Sequence, residues 1–402
     1  MILSSSVPQP SMASNRRAAS LFGSNGLAGN KVGRSCPKTM NKVFIFGRSV
    51  KILRWTFATK VQRRIFTERP KMKTLFICLV LFSGIVLGQD LPTLFPANPF
   101  DPNNDAARLF DAIDGWGTDE DKIISVLCYR TASQRDVITT TYNNQHGNLA
   151  NDLQSDLTGN FKTLTIMLTH GMIKFLSIEL HETMARPGTD EKSLTEIIMS
   201  RSNQELSEIR TFFLDYYGHS LVSEIEGDTS GAYQQLLIQM AEGLRDESTF
   251  LNMTAVEKDV DDLYEGGPAI EGTNEDLYID VFSLRNYVHV DEVAVLYEEK
   301  YGTSLTTVVT TEFEGRDMGN ALVSILQYSR DKAKYFASRF HESIAGVGTE
   351  DRDLMRLTIS RCETDLGNIK TAYQNIYSVS LSSDVSDDTS GSYRSALLAL
   401  ID

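Results

Sequence analysis

Cysteine is scarce in this sequence. The chain has 402 residues and four cysteines, which are Cys36, Cys78, Cys128 and Cys362. No two of them form a CxxC pair, so neither a zinc ribbon nor a disulfide-rich scaffold is indicated. We expect these residues to serve as small buried apolar side chains.

Catalytic motifs are missing as well. The chain has no Walker loop, no GxSxG elbow and no phosphate-binding GxGxxG. His181 and His341 are each followed by a glutamate, but neither pair continues to the second histidine of HExxH. We therefore expect that the protein is not an enzyme.

Basic residues are concentrated at one end of the chain. Residues 1–71 contain 14 lysines and arginines and a single acid, Glu68, whereas the remaining residues contain 25 basic and 52 acidic side chains. A body this acidic repels the phosphates of nucleic acids. Cations are therefore the expected partners, and nucleic acid is not.

The segment 72–88 has the pattern of a secretory signal. Basic residues flank Met72, and a 13-residue apolar run from Leu75 to Leu87 follows and ends with small residues at the signal-peptidase positions. The run is too short to cross a bilayer comfortably. We expect the true start at Met72 and a secreted or extracellular mature chain beginning near Gln89. The alternative is a cytoplasmic protein associated with the plasma membrane.

From residue 100 onward the chain repeats itself. A Gly-Thr pair recurs at intervals of 71, 84 and 76 residues, two polar and mostly acidic residues follow each pair, and an arginine stands 12 residues after each threonine. The pairs are Gly117-Thr118, Gly188-Thr189, Gly272-Thr273 and Gly348-Thr349, and the arginines are Arg130, Arg201, Arg285 and Arg361.

The apolar residues between each threonine and arginine fall at helical spacing, as at Ile123, Ile124 and Leu127. Strand-like alternation is scarce, so the fold is predicted to be all-α. Each threonine is expected to cap the helix that follows, because its hydroxyl can bond free backbone N–H groups. Repeat architecture alone is equally typical of a structural scaffold.

The glycine loops are paired with distant acids. A Gly-x-Gly turn can direct backbone carbonyls inward, and one carboxylate from a second loop can complete the oxygen shell that calcium requires. An acid stands 39 residues after Gly117 and 40 residues after the matching glycine of the other copies. These acids are Asp156, Asp228, Glu312 and Asp388. The alternative is that they only cap helices.

The pattern Gly-x-Gly-Thr-acid-acid, with an acid about 40 residues later and an Asp-Thr-Ser-Gly turn around it, resembles the annexin repeat. The resemblance covers roughly residues 102–402. It implies a curved disc of four annexin-type repeats, each of about five short helices. It also implies that the convex face holds Ca²⁺ in these loops, and that the ions bridge to acidic phospholipid membranes.

The resemblance also implies a division of the chain and a set of ligands. The predicted segments are a basic, disordered leader or mistaken start (1–71), the signal-like segment (72–88), an N-terminal tail (89–101), repeat 1 (102–172), repeat 2 (173–245), repeat 3 with a longer linker (246–332) and repeat 4 (333–402). The implied calcium ligands are Ile113, Gly115, Gly117 and Asp156 in repeat 1, Met184, Arg186, Gly188 and Asp228 in repeat 2, Gly272 and Glu312 in repeat 3, and Ile344, Gly346, Gly348 and Asp388 in repeat 4.

Two of the four loops depart from the simple pattern. Arg186 replaces the first glycine of the second loop, and Glu271 lies inside the third loop, where the first glycine is missing. The third site is therefore expected to be the weakest. Trp116 lies within the first loop, where its ring could enter the lipid headgroup layer or fold back on the neighbouring helices.

The predicted function is calcium-dependent binding to acidic phospholipid. A secreted scaffold that binds a protein or glycan partner, with calcium incidental, is the alternative, motivated by the signal pattern and by the sequon Asn252-Met253-Thr254. A protein partner or self-association on membranes also stays open.

Overall fold

The computed structural model describes residues 89–115, 117–185, 188–346 and 348–402. All of them belong to one unit of the chain, Val86–Asp402. The predicted leader and the signal-like segment therefore lie outside the described residues, whereas the predicted N-terminal tail, from Gln89, is described. The described part contains twenty α-helices and no strand, which confirms the all-α prediction.

The helices follow one another in four groups of five. The first group is α1 (Pro102–Ile113), α2 (Glu120–Leu127), α3 (Ala132–Gln145), α4 (Leu149–Asp156) and α5 (Gly159–Leu168). The second is α6 (Met172–Met184), α7 (Glu191–Met199), α8 (Asn203–Tyr217), α9 (Leu221–Asp228) and α10 (Gly231–Ala241).

A linker, residues 242–252, separates the second group from the third. The third group is α11 (Met253–Glu265), α12 (Glu275–Leu284), α13 (Tyr287–Tyr301), α14 (Leu305–Glu312) and α15 (Asp317–Arg330). The fourth is α16 (Lys332–Ile344), α17 (Asp351–Arg361), α18 (Leu366–Tyr377), α19 (Leu381–Asp388) and α20 (Gly391–Ile401).

The apolar faces of these helices form the core. In repeat 1, Leu109, Ile123 and Leu127 are fully buried, as the helical spacing predicts. Repeats pack in pairs: α20 of repeat 4 lies against α2 and α5 of repeat 1, and α10 of repeat 2 lies against α12 and α15 of repeat 3. Helices this short are marginal alone, so their stability depends on this packing.

The tail from Gln89 joins the last repeat to the first. The amides of Thr93 and Leu94 donate to the Cys362 carbonyl at 2.8 and 2.9 Å. Farther along the tail, Ala97 exchanges two 2.9 Å hydrogen bonds with the Gln134 side chain in α3. Leu94 is buried between these contacts. The tail is therefore part of the folded body.

Both described cysteines are buried free thiols, in agreement with the expected apolar role. Cys128 follows α2 and Cys362 follows α17. Burial raises the pKa of each thiol to about 12. Neither thiol is therefore ionised near neutral pH.

Candidate functional site

Each Gly-Thr loop connects the end of one helix to the start of the next. In repeats 1, 2 and 4 the preceding helix ends at the first predicted ligand, which is Ile113, Met184 or Ile344. The last carbonyls of a helix have no intrahelical partner. The carbonyls of these three residues therefore lie at helix ends, where a bound cation could use them.

The glycine of each Gly-Thr pair adopts a backbone conformation that favours a residue without a side chain. Its φ is +86° at Gly117, +84° at Gly188 and +94° at Gly348, a region that other residues rarely adopt. Gly346 also has a positive φ, +140°. These glycines therefore have the positive φ on which the predicted turn depends, and a β-carbon at these positions would be strained.

The distant acids lie beside these loops. Thr118 Oγ1 donates to Asp156 Oδ2 at 3.3 Å, and Thr189 Oγ1 donates to Asp228 Oδ2 at 2.7 Å. The same hydrogen bond joins Thr349 to Asp388 in repeat 4. A carboxylate from 38 or 39 residues along the chain is thereby fixed against each loop.

The alternative that these acids cap helices is wrong. Asp156, Asp228, Glu312 and Asp388 are the last residues of α4, α9, α14 and α19. The helix macrodipole is negative at that end, so a carboxylate there is disfavoured by about 0.3–1 kcal/mol. A cation bound beside it would remove that cost, since it would face both the carboxylate and the free helix carbonyls.

The prediction that threonine caps the following helix is also wrong. The N-caps of α2 and α7 are Asp119 and Asp190, whose carboxylates accept from the backbone N–H three residues on. The hydrogen bond from the Lys122 amide lowers the pKa of Asp119. In repeats 3 and 4 the N-caps are Asn274 and Glu350, without a side-chain cap hydrogen bond. In all four repeats the residue after the threonine is thus the N-cap, and the threonine hydroxyl bonds the distant acid instead.

The third loop is built differently. In repeats 1, 2 and 4 a backbone hydrogen bond closes the loop across seven residues, as from the Glu350 amide to the Ser343 carbonyl. In repeat 3 the equivalent bond runs from Asn274 to Gly266, across eight residues. The third loop therefore has one more residue between its hydrogen-bonded ends than the other three loops have.

An arginine also spans the two loops of repeat 3. Arg316 donates to the Glu275 carboxylate and, at 2.5 Å, to the carbonyl of Glu312. Thr273 still bonds Glu312, at 2.6 Å. Gly272 has a φ of +87°, like its counterparts. This repeat retains the threonine–acid pair but places a guanidinium across the gap between its loops.

Some predicted site residues lie outside the described ones. These are Trp116 and Arg186, and the neighbouring Pro187 and Val347 are also not described. Within the described ranges, no three side chains of His, Cys, Asp or Glu come together as a metal cluster. A metal in these loops would thus depend mainly on backbone carbonyls, with one carboxylate, which is a ligand set that calcium accepts.

The recurring arginines have a structural role. Arg130 forms two hydrogen bonds, of 2.7 and 3.0 Å, with the buried carboxylate of Asp105, and Arg285 does the same with Asp259. In repeat 4, Arg361 Nε donates to Asp365 at 2.7 Å. In repeats 1, 3 and 4 the periodic arginine therefore joins neighbouring helices and does not contribute to the loops.

A buried ion cluster between repeats 2 and 4 was not predicted. Arg339 Nε donates to Glu196 at 2.8 Å, and Arg356 donates to the same carboxylate. Arg352 forms two hydrogen bonds with Glu179. The three arginines and Glu179 line a cleft of about 320 Å³, together with Asp353, which accepts from Arg339 at 3.3 Å and from Arg356 at 3.0 Å. No local spacing could have revealed the cluster, because its partners are 143 to 173 residues apart.

Comparisons with known proteins identify this architecture. The Annexin family model matches residues 104–168, 175–240 and 335–400. Annexin A4 of Sus scrofa is 37% identical over 309 residues, which cover 77% of this chain and 97% of that protein. The chain belongs to the annexin family.

Solved annexin structures have the same fold as this chain. Annexin III superposes with a TM-score of 0.76 at 31% identity, covering 78% of this chain and 97% of that one. The calcium-bound annexin (Sm)1 gives 0.70 at 31% identity, covering 78% and 93%. Annexins in general are non-enzymatic proteins that bind acidic phospholipid membranes in a calcium-dependent manner. No helix among the described residues is long and apolar enough to span a membrane.

Proposed function

We propose that this annexin binds acidic phospholipid membranes through calcium held in the loops of repeats 1, 2 and 4. The observation that carries the proposal is the threonine–acid pair at each loop, which brings a helix-terminal carboxylate beside a glycine turn and free helix carbonyls. The proposed ligands are the carbonyls of Ile113, Gly115 and Gly117 with Asp156, of Met184, Arg186 and Gly188 with Asp228, and of Ile344, Gly346 and Gly348 with Asp388.

The electrostatics explain why calcium would control binding. Residues 72–402 contain 52 acids and 25 basic residues, so this part of the chain and an anionic bilayer repel each other. A bound calcium ion would neutralise a loop and offer open coordination positions to lipid phosphate oxygens. Asp156 and Asp388 are exposed, which leaves their loops accessible to a flat lipid surface.

Repeat 3 is proposed to contribute least. Its loop is one residue longer between the hydrogen-bonded ends, and Arg316 already places a positive charge between Glu275 and the Glu312 carbonyl. Gly272 and Glu312 would therefore form a weaker site. Three stronger loops on one protein still act together, because each binding event raises the effective concentration of the next.

Sedimentation with vesicles across a calcium series tests this function. Phosphatidylserine vesicles should carry the protein into the pellet as calcium rises, and a chelator should return it to the supernatant. Phosphatidylcholine vesicles are the matched control and should retain little protein. Binding that persists in chelator, or that ignores the anionic lipid, would refute the proposal.

We also propose that the protein is secreted. The signal pattern at 72–88 supports this. A secreted scaffold that recognises a protein or glycan partner remains the second candidate function. A partner retained in chelator would favour the scaffold, whereas partner binding that requires calcium would favour membrane attachment.

A further inference from the structure

The linker between repeats 2 and 3, residues 242–252, carries the sequon Asn252-Met253-Thr254, the single Asn-x-Ser/Thr sequence in the chain. Asn252 and Thr254 are both exposed. We propose that Asn252 accepts an N-linked glycan, which extends from the side of repeat 3 opposite its calcium loop. The proposal rests on the secretion proposed above, because this modification occurs in the secretory pathway.

The local structure can accommodate the modification. Asn252 is the N-cap of α11, and its Oδ1 accepts from the Ala255 amide at 3.4 Å. Among the residues that the structure describes, none forms a hydrogen bond with Asn252 Nδ2. A glycan on Nδ2 would leave the side-chain oxygen free to cap the helix, so modification and folding do not compete.

The chemistry balances with one co-reactant, an oligosaccharide linked to a lipid pyrophosphate. The side-chain nitrogen loses one proton and forms a bond to C1 of the first sugar. The bond between C1 and the pyrophosphate oxygen breaks, and the lipid pyrophosphate leaves with that electron pair and takes up the proton that the nitrogen loses. The amide keeps its carbonyl oxygen, and no oxidant or reductant is required.

The direction of the glycan follows from the helices. Asn252 precedes α11, and the calcium loop of repeat 3 follows the other end of that helix. The 13 residues of α11 separate the two by about 20 Å. The linker meets α12 at its C-terminal end, through the bond from the Asp246 amide to the Leu284 carbonyl at 2.8 Å. The calcium loop precedes the N-terminal end of α12. The linker and the calcium loop therefore lie at opposite ends of α12, as they do for α11.

The same linker exposes apolar side chains. Phe250 is 73% exposed and Leu244 is 67% exposed. Phe250 is two residues from Asn252, within the reach of the first sugars of a glycan. A hydrated glycan at Asn252 would shield this apolar surface, which otherwise favours association between molecules.

The acceptor is tested in the full chain expressed in eukaryotic cells behind an added, cleavable secretory signal. Protein collected from the medium should shift in mobility when treated with peptide-N-glycosidase F. Asn252→Gln should abolish the shift. Thr254→Ala should also abolish it while keeping Asn252 and its cap, and Thr254→Ser should retain it. Secreted wild-type protein that shows no enzyme-dependent shift would overturn the proposal.

The chain without an added signal separates the acceptor from secretion. We expect it in the medium with the same glycan. If it stays unmodified inside the cell while the signal-fused chain is glycosylated, secretion of the native chain is refuted and the acceptor assignment stands.

The orientation has its own test. Glycosylated wild-type protein and Thr254→Ala should need the same calcium concentration for half-maximal binding to phosphatidylserine vesicles. Glu271→Asn, made in the Thr254→Ala chain, creates an Asn-Gly-Thr sequon inside the third calcium loop and should impair vesicle binding until the glycan is removed. A glycan at Asn252 that impairs binding as strongly would show that the assigned direction is wrong.

Discussion

The Thr189 hydroxyl donates a 2.7 Å hydrogen bond to the Asp228 carboxylate, 39 residues along the chain. The same bond joins the matching residues of the other three repeats. It fixes an acid from the end of one helix beside the glycine turn that begins another. The acid is thus positioned before any ion binds, which reduces the ordering that binding requires.

Removing one of these acids should weaken the response to calcium. For Asp388→Asn or Asp156→Asn we expect the calcium needed for half-maximal vesicle binding to rise about threefold to tenfold, or roughly 0.7–1.4 kcal/mol. The amide keeps the size of the side chain and its hydrogen bond to threonine but loses the charge. Vesicle sedimentation with each purified variant measures the shift.

Glu312→Gln is the matched control for these variants. It removes the acid at the same position of repeat 3, where the loop is longer and Arg316 is already present. We expect a smaller shift than for Asp388→Asn. An equal shift would mean that all four repeats contribute alike, and it would contradict the ranking of the sites.

Local periodicity predicted much of this molecule. The spacing of Ile123, Ile124 and Leu127 predicted the helices, and the constant interval between glycine and acid predicted which residues would meet. Two details depend on the backbone and could not be predicted from residue types. These are the position of each helix N-cap, which is the residue after the threonine, and the extra residue in the third loop.

The contacts between repeats were beyond the reach of the sequence. Glu196 binds Arg339 and Arg356, which are 143 and 160 residues away. A single repeat gives no indication that its neighbour will supply a partner. Only the packing of the helix groups brings these charges together, and burial then makes their pairing necessary.

The buried pairing predicts a large loss of stability when one partner is neutralised. Glu196→Gln removes the buried carboxylate that Arg339 and Arg356 share and leaves them only Asp353 as a common counter-charge, which should cost about 3 kcal/mol. Denaturant unfolding measures the free energy. Lys258→Ala removes the exposed ion pair with Asp262 and should leave the unfolding midpoint nearly unchanged. Equal effects from both variants would argue against a buried cluster.

The two described cysteines should resist alkylation while the protein is folded. Burial raises the pKa of Cys128 and of Cys362 to about 12, so almost no thiolate exists near pH 8. Iodoacetamide should modify both residues only after unfolding, as read by peptide mapping. Rapid labelling of either residue in the native protein would show that the helix ends open readily.

Asp353 should make the stability of the folded protein sensitive to acid. Burial opposes its ionisation, but Arg356 and Arg339 outweigh this effect and hold the pKa of Asp353 below its ordinary value of 3.8. The unfolded chain therefore takes up a proton on this group at higher pH than the folded protein does. The stabilisation is present above pH 3.8 and is lost as the pH falls through the folded pKa.

The unfolding free energy, measured from roughly pH 5 to pH 3, shows whether the Asp353 carboxyl contributes to the pH dependence of stability. Asp353→Asn should be less stable than wild type at the upper limit, because the arginines lose a counter-charge. It should also lose less stability on acidification, because it lacks a carboxyl that takes up a proton when the protein unfolds. Parallel curves for the two proteins would mean that Asp353 has the same pKa folded and unfolded, and the arginines would then not stabilise its charge.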